Sequence, residues 1–127
     1  MALEIDPKNA AVWGNKGLAL HSLRRSDEAI QCYDRTLELD PTDAVAWENI
    51  GRALLNLGRY DKAIRCSDRA LELDPTDAVT WSNKGRALLI LNRYEEAIRC
   101  YDRALEIDPY DNDAWYYKGC ALHILDQ

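Results

Sequence analysis

Two histidines, four cysteines and 22 acidic residues are the groups in this 127-residue chain best suited to act as nucleophile, general base or metal ligand. Catalysis needs such groups to converge on one reacting atom. His21 and His123 hold the same place in the first and fourth copies of a repeated unit, so three repeat steps separate them and they cannot share a site. Cys120 and His123 stand at i,i+3, half of a metal site that Asp113 or Asp126 could extend. Zinc takes four close ligands, or three plus water, and there is no second Cys/His pair. The Asp and Glu residues recur at helix starts and ends in every unit, the pattern of solvated faces and turn formers. No GxxxxGK[ST] or GxGxxG loop is present to cradle a phosphate. The residues therefore imply no enzyme active site, no metal and no cofactor.

What recurs in this chain is a segment. Ala44 to Asp77 and Ala78 to Asp111 agree at about 24 of 34 positions, the signature of a stacked-repeat architecture. Trp13, Trp47, Trp81 and Trp115 mark the period, as do Gly17, Gly51, Gly85, Gly119 and Pro7, Pro41, Pro75, Pro109. Each unit contains two amphipathic helices. In the second unit the first runs from about Ala44 to Leu57, with Trp47, Gly51, Leu54 and Leu57 on the core stripe. A mid-helix glycine costs about 1 kcal/mol against alanine, so its regular return predicts that Gly17, Gly51, Gly85 and Gly119 are points of close approach. The second helix runs from about Tyr60 to Leu73, with Ala63, Ile64, Ala70 and Leu71 inward. Asp40-Pro41, Asp74-Pro75 and Asp108-Pro109 end these helices, because a residue before proline avoids the α region. Spacings such as Asp61 to Arg65 and Glu95 to Arg99 predict i,i+4 ion pairs on the solvent side.

This gives one array over residues 1–127. Residues 2–9 read as the end of a preceding unit, since Leu3 to Pro7 matches Leu105 to Pro109; units follow at 10–43, 44–77 and 78–111, and 112–127 is the first helix of a fourth. Each unit touches only its neighbours, and the core is a strip. The formal charge of -6 argues against nucleic-acid binding, which needs basic surface to displace phosphate counterions. No apolar run approaches a membrane span, and the N-terminus carries acids where a secretory signal carries bases. Cys32, Cys66 and Cys100 are equivalent in successive units. Helix axes about 8 to 10 Å apart hold them beyond the roughly 7 Å Cα separation a disulfide tolerates, so they read as reduced thiols in a cytoplasmic protein.

Trp47, Gly51, Ala63, Ala70 and Pro75 carry a resemblance to the tetratricopeptide repeat, over nearly the whole chain. Leu20, Leu54, Leu88 and Leu122 stand where that family often has tyrosine, Ser67 where Tyr33 and Tyr101 keep an aromatic, and Ser26 where Tyr60 and Tyr94 stand. The resemblance implies an all-α, right-handed superhelical solenoid of antiparallel helix hairpins, acting as a protein–protein interaction scaffold.

The candidate binding residues lie on the first helix of each unit. The residue two after each tryptophan points about 200° away from it at 100° per residue. These are Asn15, Asn49, Asn83 and Tyr117; Val45 and Val79 precede them by a turn, Arg52 and Arg86 follow, and Asn56 and Ile90 complete the stripe. The resemblance places this face in a concave groove, with the asparagines holding the backbone of an extended peptide. An amide suits that task because it both donates and accepts. Arg52 and Arg86 fit acidic side chains of a partner. The family's clamp for a C-terminal carboxylate needs basic residues where this chain has Gly14, Leu18, Val79 and Asn83, and only Asn49 matches it. A second expectation concerns the last helix: Trp115, Leu122 and Leu125 should stay partly uncovered, a surface for head-to-tail self-association.

Overall fold

The structure, a computed structural model, describes residues 9–126. The matching of Leu3 to Pro7 with Leu105 to Pro109 falls outside them. Seven helices follow one another: α1 (Ala10–Ser22), α2 (Ser26–Leu39), α3 (Ala44–Asn56), α4 (Tyr60–Leu73), α5 (Ala78–Ile90), α6 (Tyr94–Ile107) and α7 (Asn112–Leu125). Every odd helix begins on a side-chain cap. Asn9 accepts from the Ala11 and Val12 amides, Asp43 from Ala46, Asp77 from Val79 and Thr80, and Asp111 from Ala114. Such a cap satisfies amides that the helix leaves without partners. Even helices end at Asp40, Asp74 and Asp108, whose amides still donate to Thr36, Ala70 and Ala104 before the proline breaks the ladder. The prolines have a second use: the indole N–H of Trp47, Trp81 and Trp115 donates to the carbonyl of Pro41, Pro75 and Pro109, at 3.3, 2.9 and 2.9 Å. The tryptophan–proline beat is thus a hydrogen bond that fixes the entry of each unit.

Within each unit the turn between helices passes through one residue in the left-handed region: Arg24 (φ 60), Gly58 (φ 76) and Asn92 (φ 64). Glycine takes that conformation freely and asparagine tolerates it; arginine is strained there.

Helices pack in chain order, α1 with α2, α2 with α3 and so on to α7. Successive odd helices also touch one another, α1 with α3, α3 with α5 and α5 with α7, whereas among the described residues no two even helices do. The stack therefore curves with the odd helices inside and the even helices outside. Its core strip runs through Leu20, Cys32, Tyr33, Ile50, Leu54, Ile64, Leu88, Cys100, Tyr101 and Leu105. Tyr33 and Tyr101 are almost completely buried, and their rings lie against the backbone of Gly17 and Gly85. A Cβ on Gly17 would sit 2.5 Å from Tyr33 Cε1, and one on Gly85 2.9 Å from Tyr101 Cε1. Close approach thus explains two of the four glycines. At Gly51 the small Ser67 replaces the tyrosine, and the nearest atoms are an ordinary 3.4 Å away. Gly119 meets nothing within 4 Å, so the expected contact is absent there.

The surface charges pair differently from the expected i,i+4 pattern. Arg25–Glu28, Arg35–Glu38, Arg69–Glu72, Arg93–Glu96 and Arg103–Glu106 are i,i+3 pairs, with the base first. All are exposed and worth little. Among the described residues three ion pairs join neighbouring hairpins, Lys84 to Asp68 at 2.7 Å, Lys118 to Asp102 at 2.6 Å and Arg59 to Asp27 at 3.7 Å. Ile50 stands at the position of Lys84 and Lys118 one unit earlier, and there burial raises the pKa of the corresponding Asp34.

Candidate functional site

The inner face is built by α1, α3, α5 and α7. Val45 (60% exposed), Val79 (50%) and Ile90 (48%) are bare apolar side chains on it, and Asn15 and Asn56 are exposed as well. A helix places these residues outward because its tryptophan and leucines face the even helices.

The asparagines are not equivalent in exposure. Asn49 is buried, with 6% of its surface exposed, and its Oδ1 accepts from Arg52 Nη2 at 3.0 Å. The 200° rule treats a helix in isolation; α3 is flanked on this face by both α1 and α5, and their approach covers the amide. Arg52 is consequently half-buried and turned onto its own helix. Asn83 is half-buried, and only Asn15, on the first helix, stands free of cover. Asn56 Nδ2 lies 3.5 Å from His21 Nε2 across α1 and α3.

Arg86 remains exposed, its guanidinium 5.9 Å from the centre of the Tyr117 ring. Tyr117 is half-buried, stacked on Tyr101 with centroids 6.1 Å apart and edge-on to Tyr116 at 5.4 Å. Arg86, Tyr101 and Tyr117 line an open cleft of about 280 Å³ between α5 and α7. Its lining includes Val79, Asn83 and Arg86 on one wall, Tyr117 and Asp113 on the other, and Tyr101 at the base. Buried side-chain polar atoms without a hydrogen-bond partner, among the described residues, are His21 Nδ1, Tyr33 OH, Arg52 Nε, Asn83 Nδ2 and Tyr101 OH. Three belong to the inner helices, and the two tyrosines reach toward them from α2 and α6.

The inner face also carries acid. Glu48 of α3 faces the cap residue Asp77, and its pKa rises to about 7. Burial is the main cause, the charge of Asp77 and a hydrogen bond to it add to the rise, and Arg52 opposes it. One unit later Ser82 fills the same place and donates to Asp111 at 3.3 Å.

A larger hollow of about 420 Å³ lies between α5 and α6, beside Trp81, Lys84 and Arg103. A counterpart occurs at the equivalent Trp13, Lys16 and Arg35 between α1 and α2. It recurs with the hairpin and is a feature of how each unit packs, with Lys84 and Arg103 both lying over the Trp81 ring. Among the described residues no three His, Cys, Asp or Glu side chains are grouped to hold a metal ion, and no helix is long and apolar enough to cross a membrane. Burial raises the thiol pKa of Cys66 and Cys100 to about 11, and that of Cys32 also rises.

The tetratricopeptide-repeat profile matches residues 42–109, and a second profile of that family matches residues 10–43. The chain belongs to the tetratricopeptide-repeat family. Residues 94–125 also match the protein prenyltransferase alpha subunit repeat. No curated protein matches the chain by sequence. Solved structures do. A structure of the first TPR of Spaghetti (RPAP3) bound to the HSP90 peptide SRMEEVD is 27% identical with a TM-score of 0.92, over 99% of this chain and 100% of that one. The first TPR domain of human RPAP3 is 28% identical with a TM-score of 0.89, over 94% of each chain. MamA, 24% identical with a TM-score of 0.89 over 93% of this chain and 69% of its own, shares the fold. This tetratricopeptide array is thus an all-α, right-handed solenoid of the kind that serves as a protein–protein interaction scaffold.

Two features of the inner face escaped the periodic reading. The Glu48–Asp77 contact joins consecutive units, and because its counterpart one unit later is Ser82 on Asp111, no repeated pair of acids reveals it. The tyrosine hydroxyls were hidden because Tyr33 and Tyr101 read as core aromatics, which their rings are. Facing pairs of Gly17 with Tyr33 and Gly85 with Tyr101, each sixteen positions apart, were the available signal.

Proposed function

We propose that this tetratricopeptide array binds an extended peptide segment of a partner protein along the inner face of α1, α3, α5 and α7. The observation that carries this reading is the coincidence, on one concave surface, of bare apolar side chains and polar atoms lacking partners. Val45, Val79 and Ile90 offer apolar contact; Asn15 and Asn83 offer amides; Arg86 and Tyr117 offer a cation on an aromatic plane. Asn49 and Arg52 act from below, each holding the other. A preformed groove of this kind loses little entropy on binding. The RPAP3 relative with its bound HSP90 peptide supports a peptide as ligand class. It does not supply the clamp, because Gly14, Leu18 and Val79 offer no charge for a terminal carboxylate. Arg52 is turned inward and Arg86 shares its cleft with Asp111 and Asp113, so acidic side chains of a partner gain little on this face.

Peptides selected from a random phage-displayed library on the intact chain provide the test. Val45→Glu should weaken them at least about tenfold, roughly 1.4 kcal/mol, while Arg65→Gln on the outer helix α4, an equal step in net charge, should not. Equal effects of the two variants, or none, would overturn the groove.

A second reading has its own observation. On α7, Trp115, Tyr116, Leu122 and Leu125 are all exposed, whereas Leu20, Leu54 and Leu88, at the place of Leu122 in the earlier units, are buried. Self-association through this surface calls for light scattering that rises with concentration and falls when Trp115 and Leu122 are made polar. A monomer at all concentrations removes it.

A further inference from the structure

The cleft between α5 and α7 differs from the rest of the groove, and we infer that it is a subsite for a primary carboxamide, the side chain of an asparagine or glutamine in the bound peptide. The inference rests on the groove reading above and names the group received at one point of it.

Tyr101 is the first observation. It is fully buried, its ring is fixed between Gly85 and Tyr117, the residue lines the base of the cleft, and its hydroxyl has no hydrogen-bond partner. Burial raises its pKa strongly, so the phenol stays neutral and remains a donor. Asn83 Nδ2, on the adjoining wall, is likewise covered and without a partner. A buried donor without an acceptor is unfavourable, so the cleft favours a ligand that brings a carbonyl-type oxygen.

Charge decides which oxygen. Arg86 is the guanidinium of the cleft, and two carboxylates, Asp111 and Asp113, line the same cleft. The cleft is net negative. Asp111 is held as the α7 cap by the Ala114 amide and accepts from Ser82; Asp113 is exposed at the rim. A partner carboxylate would gain from Arg86 and lose to both acids. A carboxamide meets each wall in kind: its oxygen accepts from Tyr101 and Asn83, and its NH2 donates toward Asp113. It also pairs with the Asn83 amide whichever way that amide is turned, since each group carries both donor and acceptor. Val79 offers a wall for its methylenes.

This set is confined to the third unit and α7. At the equivalent Tyr33 hydroxyl the place of Arg86 is taken by Leu18, that of Tyr117 by Asn49, and Ser67 removes the hydroxyl from the unit between.

The probe is the same random peptide library, panned on the intact chain. Selected peptides should share an asparagine or glutamine, and changing that residue to its acid should lower affinity at least about tenfold. Tyr101→Phe keeps the ring over Gly85 and removes only the hydroxyl. It should leave the melting temperature unchanged or higher, weaken the amide peptide at least about tenfold, and shrink the amide-to-acid difference to less than about threefold. The inference is overturned if the acid peptide binds equally or better, if Tyr101→Phe binds as the parent does, or if no amide residue is enriched. Peptides that lose binding to Val45→Glu but not to Tyr101→Phe leave the groove standing and remove the subsite; peptides indifferent to Val45→Glu remove both.

Discussion

Glu48, near the start of α3, faces Asp77, the residue that caps α5, so two carboxyl groups meet at the junction of the second and third units. Burial and the Asp77 charge hold Glu48 protonated up to about pH 7. From α3, Arg52 opposes that rise, and from α2 the phenol of Tyr33 lies close to both. A carboxyl whose folded pKa is raised stabilises the fold while both states are protonated, and loses that contribution as pH climbs from the unfolded value toward the folded one. The array should therefore lose stability between about pH 4.5 and about pH 7. Glu48→Gln should flatten this slope and, at pH 8, raise stability by about 1 kcal/mol, a figure discounted for partial solvent access. Thermal melts of both proteins across that range measure it; a parental slope surviving in Glu48→Gln would disprove the assignment.

Two glycines at the same place in their units should respond to alanine with opposite signs. Gly17→Ala drives a Cβ into the buried Tyr33 ring, and overpacking of about 1–3 kcal/mol exceeds the roughly 1 kcal/mol gained in helix propensity. Gly119→Ala has open space and keeps the whole gain. Melting temperatures should fall for the first and rise for the second by about 4 °C per kcal/mol. Shifts of the same sign would contradict the packing described here.

The turn after α1 holds Arg24 in the left-handed region where the next unit has Gly58. Arg24→Gly should raise stability by about 0.5 kcal/mol, relief of strain less the added freedom of the unfolded chain. Gly58→Ala should lower it by about 1 kcal/mol. Urea midpoints decide the pair, and a stabilising Gly58→Ala would argue against the turn geometry.

Asn49 and Asn15 occupy equivalent positions with different consequences. Asn49→Ala should cost about 1–2 kcal/mol, because it leaves Arg52 without its buried acceptor. Asn15→Ala should remain within about 0.5 kcal/mol of the parent. In an Arg52→Ala background the Asn49 cost should shrink. Additive losses would show that the two side chains do not act together.

The repeat made most of the architecture legible. Helix boundaries follow from Asp–Pro pairs and capping acids, and α4 spans Tyr60–Leu73 as its pattern predicts, while α3 stops one residue short, at Asn56. Short-range rules suffice there, because caps, breakers and amphipathic period act within one or two turns. The stripe of Asn15, Val45, Val79, Arg86 and Ile90 was readable for the same reason: a single helix determines which side its residues take.

What one helix cannot determine is how closely the next approaches. The sequence alone determined that this chain stacks as helix hairpins, and which residues each odd helix turns away from its own partner. The tertiary structure decided that Asn49 lies under its neighbours while Asn15 does not, that Arg52 bonds inward while Arg86 rests on Tyr117, and that Glu48 meets Asp77. The reason is curvature: bringing α1, α3, α5 and α7 together on the inside turns a row of outward side chains into a surface that is partly covered, partly open and electrostatically coupled.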